Sequence, residues 1–192
     1  DYVLFNSYPF GEELKTVKEL CRIRKQNPNA IFLHRVDGPI SRVRGIPNDQ
    51  CLDQAIVNLN DHFADGTVFQ SNWSRERCFE FGFNQAKPFK TILNAPDNSI
   101  FFPAKSSLSS QKIKIIATSW SNNWRKGFDV YQYLDQNLDF NRFEFTFVGN
   151  SPIEFKNIRH LVPLNSKDLG QELRKHHAFI TASIDDPCSN SL

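Results

Sequence analysis

Short apolar runs alternate with stretches of helical periodicity along the whole chain, a rhythm that predicts parallel strands joined by crossover helices. DYVLF reads as a strand over 1–5. From Glu12 to Arg24 the apolar residues Leu14, Val17 and Cys21 recur at helical spacing, and NPNA breaks that pattern before the strand AIFLH. In the next segment Leu52, Ile56, Leu59 and Phe63 fall at intervals of four, three and four, with Asn48 and Asp49 offering oxygens to cap the first turn. TVFQS then predicts a strand, WSRERCFEFGF a short helix ending near Gly82, and FKTILN a further strand.

The periodic signal lapses between Pro96 and Gln111, in PDNSIFFPAKSSLSSQ, where prolines and serines replace it. This predicts a domain over 1–104, a linker over 105–111 and a second domain over 112–192. In the second domain KIKIIATS and FEFTFVG read as strands, with Phe128, Tyr131, Leu134 and Leu138 on one face of a helix between them. NIRHLVPL predicts another strand, Ser166 a cap for KDLGQELRKHH, and AFITAS a last strand. An open parallel sheet normally covers its last strand, so the expectation is that a C-terminal piece follows IDDPCSNSL.

Composition narrows the function classes. The 192 residues are 40% apolar and 13% aromatic, enough for a packed core. Lysine and arginine number 23 against 21 acidic residues, a formal balance of +2, which points away from nucleic acid or an anionic membrane as the main partner. No apolar run reaches about 18 residues and DYVLFNSYPF lacks a secretory pattern, so the chain reads as cytoplasmic. Cys21, Cys51, Cys78 and Cys188 form no CxxC pair and read as buried thiols.

Three segments offer site chemistry. In SWSNNWRKGFDVY, Lys126 stands just before a helix whose first amides and macrodipole favour an anion; the plainer reading is a solvated turn. HRVDGP ends a strand where open α/β sheets hold ligands, and offers His34, Arg35 and Asp37; His34 also fits a hydrogen-bonded structural histidine, and Asp37-Gly38-Pro39 a turn. Gly149 and Asn150 close FTFVG in a tight turn. Asn60, Gln70, Ser71 and Trp73 are further candidates to border a ligand cleft, and His176 and His177 suit a helix terminus without catalysis.

Four collinear segments, HRVDGP, FQSNWSR…ILNAPDNSIFFP, SWSNNWRKGFDVY with FVGNSP, and ASIDDPCSNSL, together resemble the retaining GT-B glycosyltransferases called group 1 or family 4. The resemblance runs from Ile31 to Leu192. It implies an α/β chain of two Rossmann-like domains of GT-B type, both incomplete here. TILNAPDNSIFFP resembles the family's inter-domain passage, with Ala95 and Pro96 where glycine and valine are usual.

Carried over by residue, the resemblance makes Lys126 the lysine on the donor phosphates, with Gly127 beside it, and Asp186 the first acid of a Glu-x7-Glu motif that holds the donor sugar. Asp185 is an alternative acid, and the second acid would lie beyond Leu192. Ser189, Asn190 and Ser191 replace the family's glycine-rich turn, and Gly149 and Asn150 match its turn beside the nucleotide. Ser121 stands where an arginine is common, and Arg125 is the nearest substitute.

The implied activity is hexosyltransferase-type transfer of a sugar from a nucleoside diphosphate sugar to a hydroxyl acceptor with retention, needing no metal or other cofactor, with the 192-residue piece expected to be inactive by itself. A glycan or lipid-linked acceptor is implied, in polysaccharide or glycolipid synthesis, with peripheral contact at the inner face of a membrane. A nucleotide-sugar epimerase and a non-catalytic nucleotide-sugar-binding module remain alternatives.

Overall fold

The computed structural model describes residues 1–6, 13–46, 49–104 and 110–187. The chain divides into two compact units, Asp1–Asn94 and Ala95–Leu192, each built on a four-stranded parallel sheet.

In the first unit β1 (Tyr2–Asn6), β2 (Ile31–Val36), β3 (Gly66–Phe69) and β4 (Phe89–Thr91) lie side by side in chain order. The connections are α1 (Glu13–Gln26), α2 (Ile40–Arg44) with α3 (Gln50–Phe63), and α4 (Asn72–Glu80). The two-residue period of a strand turns Phe32, His34 and Val36 inward together. Phe32 packs with Leu20 of α1 and Leu59 of α3, while Val36 packs with Ile56, Phe69 and Cys78.

Several details differ from the sequence pattern. Asp49 precedes α3 but its side chain does not cap it, lying instead 3.7 Å from Arg44; Asn48 falls outside the described residues. Helix α2 carries no periodic signal, being only five residues long. Its start is held by Asp53, a buried side chain from α3 that accepts from the Ile40 and Ser41 amides and the Ser41 hydroxyl. Cys21 and Cys51 are exposed rather than buried: the packed face of α1 runs through Val17, Leu20 and Ile23 instead of the Leu14, Val17 and Cys21 spacing, Cys51 lies off the buried face of α3, and Cys78 alone of the described cysteines is buried. Cys188 is outside the described residues.

In the second unit the strands β5 (Ile113–Ser119), β6 (Phe143–Gly149), β7 (Arg159–Leu161) and β8 (Ala178–Phe179) take the order β7-β6-β5-β8. A 3-10 turn at Trp124–Lys126 leads into α5 (Phe128–Asn137), whose Phe128 and Tyr131 pack on Phe145 and Phe147 of β6. Helix α6 (Ser166–Leu173) is capped by Asn165, not Ser166: the Asn165 side chain accepts from the Asp168 amide at 3.0 Å. Residues 95–104 belong to this unit, and Arg174 anchors them by donating to Ile100 O at 2.9 Å and lying over the Phe102 ring.

The run AFITAS pairs with β5 only at Ala178 and Phe179. After Ile180 the backbone leaves the sheet to bond elsewhere, and that departure builds the site.

Candidate functional site

Strand β5 has its sequence successor β6 on one side and β8 on the other. The loops leaving the carboxyl ends of β5 and β8 therefore meet where the strand order reverses, the place at which open α/β sheets hold ligands. Residues 120–127 form one loop and residues 180–187 the other.

Hydrogen bonds join the two loops closely. Ile184 N donates to Arg125 O at 2.7 Å, and Ala182 N donates to the Tyr131 hydroxyl at 3.2 Å. Lys126 Nζ lies 2.8 Å from Asp186 Oδ2, with both side chains more than four-fifths buried. Beside it Arg125 pairs with Asp185, which adopts a left-handed backbone at φ 53°. Two cations from one loop thus face two carboxylates from the other. Gly127 precedes α5 at φ 89°, and no side chain caps that helix.

The preceding turn is rigidly threaded. Ser119 Oγ accepts from Ser121 N and donates to Ser121 O, Ser121 Oγ accepts from Asn123 N, and Asn123 Oδ1 accepts from Arg125 N. Ser121 is therefore engaged in shaping the turn. At the end of β6, Gly149 has φ 123°, and a Cβ there would stand 1.8 Å from Ser119 O. Asn150 bonds back to both Ser119 O and Trp120 O. Trp120 is 77% exposed, and Trp124 meets Phe128 edge-on. Ser189, Asn190 and Ser191 lie outside the described residues.

In the sequence Lys126, Arg125, Asp185 and Asp186 stand as separate candidates, and nothing there marks Tyr131 or Ala182, which hold the two loops together. Tyr131 reads as one more member of an apolar stripe. Its hydroxyl takes part in the site because α5 turns that edge of the ring toward Ala182, and burial pushes the phenol pKa upward.

The first unit carries a second polar cluster at its strand ends. Arg35 donates to Asp37 at 3.0 Å and to Asn94 at 3.1 Å, Asn94 donates to Gln70 at 2.7 Å, and Gln70 donates to Asp37. The four side chains close a ring across the ends of β2, β3 and β4. His34 is not part of it: the residue is fully buried, stacked on Phe5 at 4.4 Å, with Asn60 Nδ2 3.2 Å from its Nδ1. Ser71 caps α4 by accepting from Ser74 N at 3.0 Å. Among the described residues there is no group of three or more His, Cys, Asp or Glu placed to hold a metal, and no helix long and apolar enough to cross a membrane.

Solved structures share this architecture. Anabaena HepE in complex with UDP-glucose superposes with a TM-score of 0.62 at 14% identity, over 91% of this chain and 58% of that one. The chain has the fold of GT-B glycosyltransferases. An Escherichia coli trehalose-6-phosphate structure bound with UDP-2-fluoro glucose matches with a TM-score of 0.58 at 12% identity, over 98% of this chain and 54% of that one. A trehalose-6-phosphate synthase analysed with bisubstrate glycomimetics matches with a TM-score of 0.56 at 12% identity, over 94% and 52%. The chain thus spans little more than half the length of these GT-B structures. No protein-family model and no curated protein sequence matches it.

Proposed function

We propose that the protein is a glycosyltransferase that moves a sugar from a nucleoside diphosphate sugar to a hydroxyl acceptor with retention at the anomeric carbon. The observation that carries this reading is the Lys126–Asp186 pair, held where the strand order reverses in a GT-B fold. In the reaction the bond from the anomeric carbon to the diphosphate oxygen breaks. The acceptor oxygen bonds to that carbon from the same face, and its proton leaves with the diphosphate. Negative charge grows on the leaving oxygen, where a preset cation lowers the barrier most.

In this mechanism Lys126 and the first amides of α5 bind the diphosphate, and Asp186 exchanges its contact with Lys126 for the donor-sugar hydroxyls. Gly149, Asn150 and Ser121 border the nucleotide. Arg125 stands in for the arginine that Ser121 replaces. Arg35 and Asp37 receive the acceptor, with His34 supporting β2 behind them. Neighbouring structures carry UDP-glucose and UDP-2-fluoro glucose, which supports a nucleotide-sugar donor here. A glycan or lipid-linked acceptor in polysaccharide or glycolipid synthesis, handled at the inner face of a membrane by peripheral contact, belongs to the same proposal.

The test is release of UDP from UDP-glucose by the full-length gene product and its Lys126→Ala and Asp186→Asn variants. The reading expects losses of about 100-fold or more in kcat, the scale seen when a transition-state charge partner is removed. Turnover unaltered in both variants would remove this site from the chemistry.

A further inference from the structure

At the opposite, amino-terminal end of the second unit's sheet lies a cavity of about 380 Å³ between β5, β6, β7 and the end of α6. Nothing in the reading above uses it, and its volume falls in the range of small-ligand pockets. Its lining includes Glu172, whose side chain is only 7% exposed. One carboxylate oxygen is bonded to Lys175 at 2.7 Å; the other, Oε1, is buried without a hydrogen bond, with the Arg159 guanidinium 3.5 Å away. A buried oxygen in that position costs stability until a donor reaches it.

The charge around the cavity is lopsided. Lys112, Lys114, Arg159 and Lys175 contribute four cations against the carboxylates of Glu144 and Glu172, a surplus of two. His176 adds nothing to either side: burial holds its pKa below the usual histidine range, and its ring bonds to Glu172 O and Thr146 Oγ1 at 2.8 and 2.9 Å. A phosphate monoester carries close to two negative charges at neutral pH, matching that surplus. Phe143 and Phe140 add apolar walls beside the polar ones.

We infer that this cavity binds a small phosphorylated sugar, its phosphate among the lysines and Arg159 and one of its hydroxyls donating to Glu172 Oε1. A bare anion would satisfy the cations and leave Glu172 unmatched; a neutral sugar would do the reverse. The site lies at the other end of the sheet from Lys126, and the inference does not depend on the donor reading.

Glucose 6-phosphate, inorganic phosphate and glucose are the probes, read by thermal unfolding and calorimetry on the protein and an Arg159→Ala/Lys175→Ala double variant. Glucose 6-phosphate at a hundredfold excess over its Kd is expected to raise Tm by roughly 5–10 °C. Glucose is expected to give no shift, and phosphate a smaller one. The double variant should lose the shift while keeping a cooperative melt. Three results overturn the inference: no binding of glucose 6-phosphate, phosphate binding as tightly as the sugar phosphate, or a shift that survives in the double variant. If the double variant fails to fold, Lys114→Ala takes its place, with at least a tenfold weaker Kd expected and an unaltered Kd overturning the proposal.

Discussion

Gly127 and Ala182 approach so closely that a Cβ built on Gly127 would stand 2.4 Å from the Ala182 Cβ and 2.6 Å from its carbonyl oxygen. The space a side chain would fill is taken by the loop that leaves β8, so this glycine serves the junction of the two site loops as well as any ligand. Gly127→Ala meets two costs: a left-handed backbone of about 1–3 kcal/mol, and the clash with Ala182. Urea unfolding should show a loss of at least that size. A variant within about 0.5 kcal/mol of wild type, the range of an unconstrained surface site, would show that the loops do not meet this way in solution.

The Lys126–Asp186 pair joins segments sixty residues apart and is mostly shielded from water. Groups in direct contact couple, so Lys126→Met and Asp186→Asn should not add: their interaction energy in a double-mutant cycle should reach about 0.5–3 kcal/mol. A cycle that closes to zero would mean that the two side chains act independently in the free protein.

Thiol chemistry separates the described cysteines. Burial pushes the Cys78 thiol up to about 12, with a hydrogen bond from Ser74 opposing only part of that. The thiolate is the reactive form, so at pH 8 Cys78 is both inaccessible and almost wholly protonated. Iodoacetamide followed by peptide mapping should modify Cys21 and Cys51 in the native protein and Cys78 only once urea unfolds it. Native labelling of Cys78 at a comparable rate would contradict the packing of α4 against β3.

Much of the fold was legible because its strands are regular and its helices amphipathic. FEFTFVG reads as a strand and β6 spans the same seven residues, since a central strand flanked by β5 and β7 has pairing partners along its length. AFITAS reads equally well, yet β8 stops after two residues because Ile184 and Ala182 find partners on the Lys126 loop and on Tyr131. No local pattern announces such long-range competition. The same holds for α2, whose start depends on Asp53 from the next helix, and for Asn165 and Ser166, neighbours of similar capping preference.

At the site, individual residue types were legible and their relations were not. Lys126 and Asp186 each suit phosphate or sugar, but their mutual contact follows from β8 settling next to β5, which the sequence order does not reveal. His34 suits a ligand contact by type, but the strand period that turns Phe32 and Val36 inward turns it inward too. Arg35 and Asp37 have the opposite parity, and the ring they form needs Gln70 and Asn94 from two other strand ends.

Asp135 on α5 provides the clearest pH dependence. Burial pushes its carboxyl upward, but the amides of Lys156, Ile158 and Asn157 and the Lys156 charge outweigh burial and leave the pKa below the ordinary aspartate value. A depressed folded value means that the unfolded chain takes up the proton more readily. The stabilisation is therefore in full force above an ordinary aspartate's titration, near pH 4, and is lost as pH falls through the lower folded value. Asp135→Asn keeps the shape but offers a neutral acceptor, and loses about 1.5–3 kcal/mol at pH 7, the range for hydrogen bonds to a charged group. Urea unfolding of both proteins from pH 7 to pH 2 should show that gap constant down to about pH 4 and narrowing below it. A gap that widens on acidification would mean that the carboxyl is protonated in the folded protein, and that α5 is not tied to the 156–158 turn by charge.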